Sequence, residues 1–223
     1  MIIYLNDKKL ILDDDKLLKK YIGTGLESDI YKCDNKIIKI YKEICLKQRL
    51  NEDNVKFLLK IKTNRILLPL DIIYDRNHEF YGYTMKYIKP YNKVDIKKLK
   101  MKKLLEELKL IKEDLLILKD NNIFIDDLHD NNFIYNKKIY FIDPGSFDIN
   151  KNRSKTYIEL FNRELMHDFL IKYVIFRNES LNKNQKKLIN ELFPLDAYIC
   201  DILEENKIKN ESVYEYTKRI IKT

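Results

Sequence analysis

The chain has 223 residues, 45% of them hydrophobic, which is enough to bury a core as one domain or as two small lobes. No apolar run approaches the roughly 18 residues of a membrane span, and the start, MIIYLNDKKL, lacks the basic-then-apolar layout of a signal peptide. A soluble, cytoplasmic chain with no membrane partner is expected. The formal charge of +8 comes mostly from Lys spread along the whole length rather than from clustered Arg, which argues for a solvated surface and against nucleic acid as a partner.

Cys33, Cys45 and Cys200 are odd in number and have no metal-ligand spacing, which argues against a disulfide framework or a zinc site. Glycine is scarce: average usage of about 7% would give about 16, and only Gly23, Gly25, Gly82 and Gly145 are present. Each should therefore mark a backbone position that needs it.

In chain order, MIIYLNDKKLIL reads as two short strands around an Asn-Asp turn. LLKKYIGTGLESDIYKCDNKIIKIYKE reads as strand, glycine turn, strand, Asp-Asn turn, strand. Residues from about Ile44 to Lys62 are expected to be helical, and RILLPLDIIYDRNHEFYGYTMKYI gives two more strands around Asp75 to His78. Beyond Pro90 the character changes. MKKLLEELKLIKEDLLILKD is an amphipathic helix with Leu104, Leu105, Leu108, Ile111, Leu115 and Leu118 on one stripe, its Lys, Glu and Asp forming a solvated face. A hairpin follows, and then helices in TYIELFNRELMHDFLIKYVIF, NQKKLINELF and ESVYEYTKRII. The layout is α+β: a β-rich N-terminal lobe with one main helix (1–88) and a reduced, mostly helical C-terminal lobe (89–223), divided near KYIKPYN.

Two stretches could carry chemistry. FIDDLHDNNFIYNKKIYFIDPG, from Phe124 to Gly145, packs four aspartates and three asparagines around two apolar runs. A hairpin turning at Lys137 and Lys138 would set Tyr135 opposite Tyr140 and Phe133 opposite Ile142. One step further, Asn132 would face Asp143, close enough for an amide oxygen and a carboxylate to share a hard cation such as Mg²⁺. Asp127, on the entering loop, could reach a substrate hydroxyl beside it. The bland alternative is a set of Asp and Asn turn caps. The second stretch is IGTGLESDIY, a Gly-x-Gly between strands that lets backbone N–H groups approach phosphate oxygens. Lys39 follows on a strand, in register with Ile37 and Tyr41. It either points into a cleft toward phosphates or lies on a solvent-facing side.

The order of these parts resembles the protein-kinase-like superfamily from about Leu17 to Ile149. Gly23, Gly25, Ser28 and Ile30 stand where that family has G-x-G-x-x-G-x-V, and Lys39 stands where it has the phosphate-holding lysine. The resemblance implies a helix carboxylate partner for Lys39: Glu52 first, with Asp53 and Glu43 as alternatives. It also implies a hinge strand in YTMKYI, with Met85 as gatekeeper and the backbone of Lys86, Tyr87 and Ile88 facing adenine. Ile22, Ile30, Ile37, Ile134 and Ile142 would line the adenine pocket. DLHDNN supplies Asp127 to accept the acceptor's proton and Asn132 for Mg²⁺, and DPG supplies Asp143 as the main Mg²⁺ ligand.

The departures are informative. Ile125-Asp126 replaces the usual His-Arg, His129 gives a D-L-H motif similar to aminoglycoside and choline phosphotransferases, and Pro144 replaces Phe. Asp168 is placed either to anchor the catalytic loop or as an ordinary exposed helix residue, and His78 and His167 are expected at the surface. The expected cofactors are ATP and Mg²⁺. The expected reaction is γ-phosphoryl transfer to a hydroxyl, with a protein Ser/Thr as first choice, a small-molecule alcohol as second, and a nucleotide-binding pseudokinase or regulatory module as the non-catalytic alternative.

Overall fold

A computed structural model describes residues 2–5, 8–11, 20–25, 27–42, 50–126, 128–143, 147–149, 152–206 and 209–222. The chain divides into two compact units: Met1–Thr63 with Leu67–Lys89 and Asp143–Ser146, and Asn64–Ile66 with Pro90–Ile142 and Phe147–Thr223.

The first unit is an antiparallel sheet. Its described strands are β1 (Ile2–Leu5), β2 (Lys8–Ile11), β3 (Tyr21–Thr24), β4 (Ser28–Cys33), β5 (Lys36–Tyr41), β6 (Asp71–Tyr74) and β7 (Phe80–Lys86), in the order β2-β1-β6-β7-β5-β4-β3. Turn chemistry fixes the registers. Cys33 pairs with Lys36 across Asp34-Asn35, and Asp34 takes the left-handed conformation (φ 54°) that short polar side chains tolerate. Between β6 and β7, the Asp75 carboxylate accepts from the Asn77 and Glu79 amides at 2.8 and 2.9 Å. Side chains alternate along β5. Ile38 and Ile40 enter a core with Ile73 on one face, which sends Ile37, Lys39 and Tyr41 to the other. Gly82 opposes Ile40, and a Cβ on it would run into the Lys39 carbonyl, so β5 and β7 can pair this closely only through glycine.

The helix expected from Ile44 to Lys62 is described over Glu52–Leu58 (α1), capped by the Asn51 side chain on the Asn54 amide at 2.8 Å. Residues 43–49 lie outside the described residues.

The second unit is built on α2 (Met101–Asp120). Met101, Leu104, Leu108, Ile111, Leu115 and Leu118 are buried, each contributing about 1.5–3 kcal/mol if fully removed from water. Not all its acids are solvated, however. Glu107 and Asp114 lie three residues after Leu104 and Ile111, on the same face, and are buried. Asp114 accepts the backbone amides of Asn64, Arg65 and Ile66 at 2.7, 2.6 and 2.9 Å. Glu107 takes the Arg65 guanidinium at two points and the Ile139 amide at 3.3 Å. Removing one partner of such a buried pair would cost about 3–5 kcal/mol.

After α2 come β8 (Ile123–Ile125), a 3-10 turn (Asp130–Asn132), and the hairpin of β9 (Phe133–Tyr135) and β10 (Ile139–Phe141). Its register corrects the expectation. Tyr135 pairs with Ile139, Ile134 with Tyr140 and Phe133 with Phe141. The turn has three residues, Asn136-Lys137-Lys138, with Lys137 left-handed at φ 53° and Asn136 N–H donating to the Lys138 carbonyl at 3.0 Å. The one-residue difference reverses which face each side chain takes. Asn132 therefore pairs with Ile142, whose amide donates to its carbonyl at 2.9 Å, and not with Asp143. The strand β11 (Phe147–Ile149), which pairs with β8, was not expected.

The remaining helices are α3 (Lys155–Phe169), α4 (Lys183–Leu192), α5 (Ile199–Glu205, also unexpected) and α6 (Val213–Lys222). A π turn, Leu170–Ile175, extends α3 and closes with the Phe176 amide on the Ile171 carbonyl at 2.9 Å. Of the described helices, none is long and apolar enough to cross a membrane.

Candidate active site

In the first unit, the glycine turn connects β3 and β4, with Gly23 opposite Ile30, Thr24 opposite Asp29, and the Gly25 amide donating to the Ser28 carbonyl at 2.9 Å. Neither packing nor a positive φ demands glycine at 23, since a Cβ there would meet nothing within 4 Å. The space in front of it suits close approach by a group from outside, as a phosphate requires. Ser28 is buried and Ile22 is half exposed. Lys42, which the sequence reading did not single out, ties the turn together: its ammonium donates to Thr24 Oγ1 at 2.6 Å and to the Gly25 carbonyl at 2.8 Å. Only its position just after β5 hints at this.

Lys39 pairs with Ile30 on one side and Tyr83 on the other, and Ile37 pairs with Met85, so all five share one sheet face. Its side chain is only 7% exposed, its ammonium lies 5.6 Å from the Tyr83 ring centroid, and it forms an ion pair with Asp143. Asp143 has a positive φ of 77°. A buried ammonium beside a carboxylate is a charge pair that an incoming anion and cation could exchange with.

Glu52 does not take the expected place beside Lys39. It opens α1 on the side of β6, where its carboxylate accepts the Tyr74 hydroxyl at 2.7 Å and pairs with Lys56 one turn on at 2.7 Å. The hydrogen bonds from Lys56 and Tyr74 hold its carboxyl below the usual range. Of the alternatives, Asp53 is exposed and Glu43 lies outside the described residues. In the expected hinge, Met85 and Ile88 are buried and Lys86 is exposed. The Tyr87 amide donates to the Asn35 carbonyl at 2.9 Å, so that N–H is already taken.

In the second unit, Asn132 is buried at the end of the 3-10 turn, and Ile134 and Ile142 are half-buried. Asp127 lies outside the described residues. His129 caps the turn, its Nδ1 accepting the Asn131 amide at 3.2 Å. The approach to this loop is anchored by a residue the sequence reading passed over. Asn162 of α3 is fully buried, accepts the Ile125 amide at 2.9 Å and donates to the Ile123 carbonyl at 2.8 Å. Asp168, considered for the anchoring role, is 78% exposed. His167, expected at the surface, is buried, and burial lowers its pKa. Asp130 binds Arg177 and Lys93, and the hydrogen bond from Arg177 leads in holding its carboxyl below the usual range.

Among the described residues no three His, Cys, Asp or Glu side chains gather as a metal cluster. In the first unit, the Asp143 carboxylate is a hard oxygen donor of the type that Mg²⁺ takes, the ion filling its other positions with water or phosphate oxygen.

An antiparallel-sheet unit bearing a buried strand lysine, followed by a helical unit with a short hairpin after its long helix, is consistent with the protein-kinase-like class. No family model matches the sequence. A curated relative does: the EKC/KEOPS complex subunit BUD32 of Enterocytozoon bieneusi (strain H348), 31% identical over 189 residues that cover 72% of this chain and 91% of the relative. The chain belongs to the BUD32 family.

Proposed function

We propose that this chain is an ATP-dependent phosphotransferase that moves the γ-phosphoryl group to a hydroxyl, with a protein Ser or Thr as first acceptor. The observation that carries this reading is the Lys39–Asp143 pair on a sheet face it shares with Ile30, Ile37 and Met85. In this reading the turn amides at Gly23 and Gly25, with Ser28, cradle phosphates, while Lys39 leaves Asp143 for a phosphate oxygen. Asp143 and Asn132 would hold Mg²⁺, which would neutralise charge developing on the phosphates. Asp127 accepts the proton of the acceptor hydroxyl. Ile22, Ile30, Ile37, Met85, Ile134 and Ile142 cover the adenine, with the Lys86 and Ile88 backbone at its edge.

His129 acts as a turn cap, so its presence in D-L-H is explained without a small-molecule acceptor. The engagement of Glu52 with Tyr74 and Lys56 favours a second reading: a nucleotide-binding regulatory subunit. The relative is named as a subunit of a complex, and we extend to this chain a protein partner and action in the cytoplasm.

The test is γ-labelled ATP with Mg²⁺ and a lysate of the source organism, comparing wild type with Lys39→Ala and Asp143→Ala. Label entering protein with wild type only is expected. Nucleotide-induced thermal stabilisation without label transfer would favour the regulatory reading. No stabilisation in wild type, and no effect of either substitution, would sink both.

A further inference from the structure

Cations from two distant parts of the second unit converge on Asp130, the first residue of the 3-10 turn Asp130–Asn132. Arg177, two residues beyond the π turn, places Nη1 2.6 Å from Asp130 Oδ1 and Nη2 3.2 Å from Oδ2, a fork on both carboxylate oxygens. The same Nη1 donates to the Tyr173 carbonyl at 3.2 Å, which ties the guanidinium back to the π turn. Lys93, at the start of the 3-10 turn Lys93–Lys98, donates to the Asp130 main-chain carbonyl and lies 3.3 Å from Oδ2. Its ammonium also stands 5.4 Å from the ring of Phe133, the first residue of β9. Asp130 is thus gripped at side chain and main chain together.

The π turn bears on this grip. One residue more than an α-turn rotates everything downstream by about 100°, and Arg177 is the first cation after it. The side chains of Arg177 and Asp130 are 15% and 33% exposed, so water and salt screen the pair less than a bridge at the open surface.

We propose that Arg177 and Lys93 are positioning residues for phosphoryl transfer: through Asp130 they fix the 3-10 turn that carries Asn132. The inference rests on the phosphotransferase reading. Asn132 is two residues from Asp130 in that turn and buried, so its amide is placed by the path of the main chain. A turn with its carboxylate released would still bind nucleotide through the first unit but would present Asn132 less accurately.

The experiment measures ATP turnover for Arg177→Gln, Arg177→Lys and Asp130→Asn. We expect kcat to fall about tenfold in Arg177→Gln and Asp130→Asn, with KM for ATP within about twofold of wild type, a barrier change of about 1.4 kcal/mol. Arg177→Lys should recover part of the loss, because an ammonium keeps the charge without the fork. An unchanged kcat, or a KM that rises in proportion to the lost kcat, would overturn the proposal. If Arg177→Gln does not fold, Lys93→Met and Asp130→Asn carry the same comparison. If wild type turns over no ATP, the phosphotransferase reading falls separately, and the clamp is then read by calorimetric ATP titration with and without Mg²⁺. Loss of the Mg²⁺-dependent gain in affinity by Arg177→Gln, with the metal-free affinity kept, supports the clamp; an equal gain in both proteins overturns it.

Discussion

Gly82→Ala should damage the protein through one contact. The added Cβ would approach the Lys39 carbonyl oxygen about 1 Å inside the closest distance real Cβ atoms show, 3.0 Å, with Lys39 C at 3.1 Å and Ile40 Cα at 3.2 Å behind it. All three are main-chain atoms, so no side-chain rotation relieves the clash, and β5 and β7 must part. Overpacking of this kind costs about 1–3 kcal/mol, and each ladder hydrogen bond lost adds about 1 kcal/mol. A loss of about 3 kcal/mol is expected, which for a chain of this size lowers Tm by about 6–12 °C. Urea unfolding followed by circular dichroism measures it. Because the displaced residue is Lys39, the surviving folded protein should also bind nucleotide more weakly. Gly23→Ala is the control: its Cβ meets open space, so stability should stay within about 0.5 kcal/mol while nucleotide affinity falls. A Gly82→Ala protein within about 1 kcal/mol of wild type would refute the close-approach argument.

Asn162→Leu should strand the Ile125 amide and the Ile123 carbonyl without their buried partner, at about 1–3 kcal/mol each, and should speed amide exchange in β8 before any other strand. Protection of β8 equal to wild type would show that β11 holds that strand unaided. Burial lowers the pKa of His167 below its usual 6.5, so the unfolded chain binds a proton there that the folded chain refuses. Its contribution is intact above pH 6.5 and is lost as the pH falls toward the folded pKa. Stability measured from pH 7.5 to 5 should decline less steeply in His167→Gln than in wild type; parallel slopes would dismiss the residue as the cause.

The sheet and the long helix were legible because their cues are local: alternation along β5, the Asp34-Asn35 and Asp75–His78 turns, and the leucine stripe of α2. What escaped depends on partners far away in sequence. Glu107 and Asp114 read as solvated because most acids on amphipathic helices are, and nothing nearby reveals that residues 64–66 bring amides and a guanidinium to them. The one-residue error in the β9–β10 register came from choosing a two-residue turn. Lys137 gives no sequence sign of a left-handed conformation, which glycine or asparagine would have announced. Asn162 carries no charge to single it out as Asp168 does, yet the buried strand needs both an acceptor and a donor, which an amide supplies and a carboxylate does not. Lys39 and Asp143 were both named from the motif, but as holders of different ligands rather than as a pair, and Glu52 was assigned the place that Asp143 fills.

The left-handed backbone of Asp143 sets what the fold requires at that position against what its chemistry requires. At φ 77° glycine would sit without strain, and aspartate, as at Asp34, is among the few residues with a side chain that tolerate such a backbone. The backbone would therefore be more relaxed as Asp143→Gly, and Lys39 would then be left buried without its carboxylate. Residue 143 is thus a position where folding and charge favour different amino acids, and the aspartate found there shows that charge prevailed.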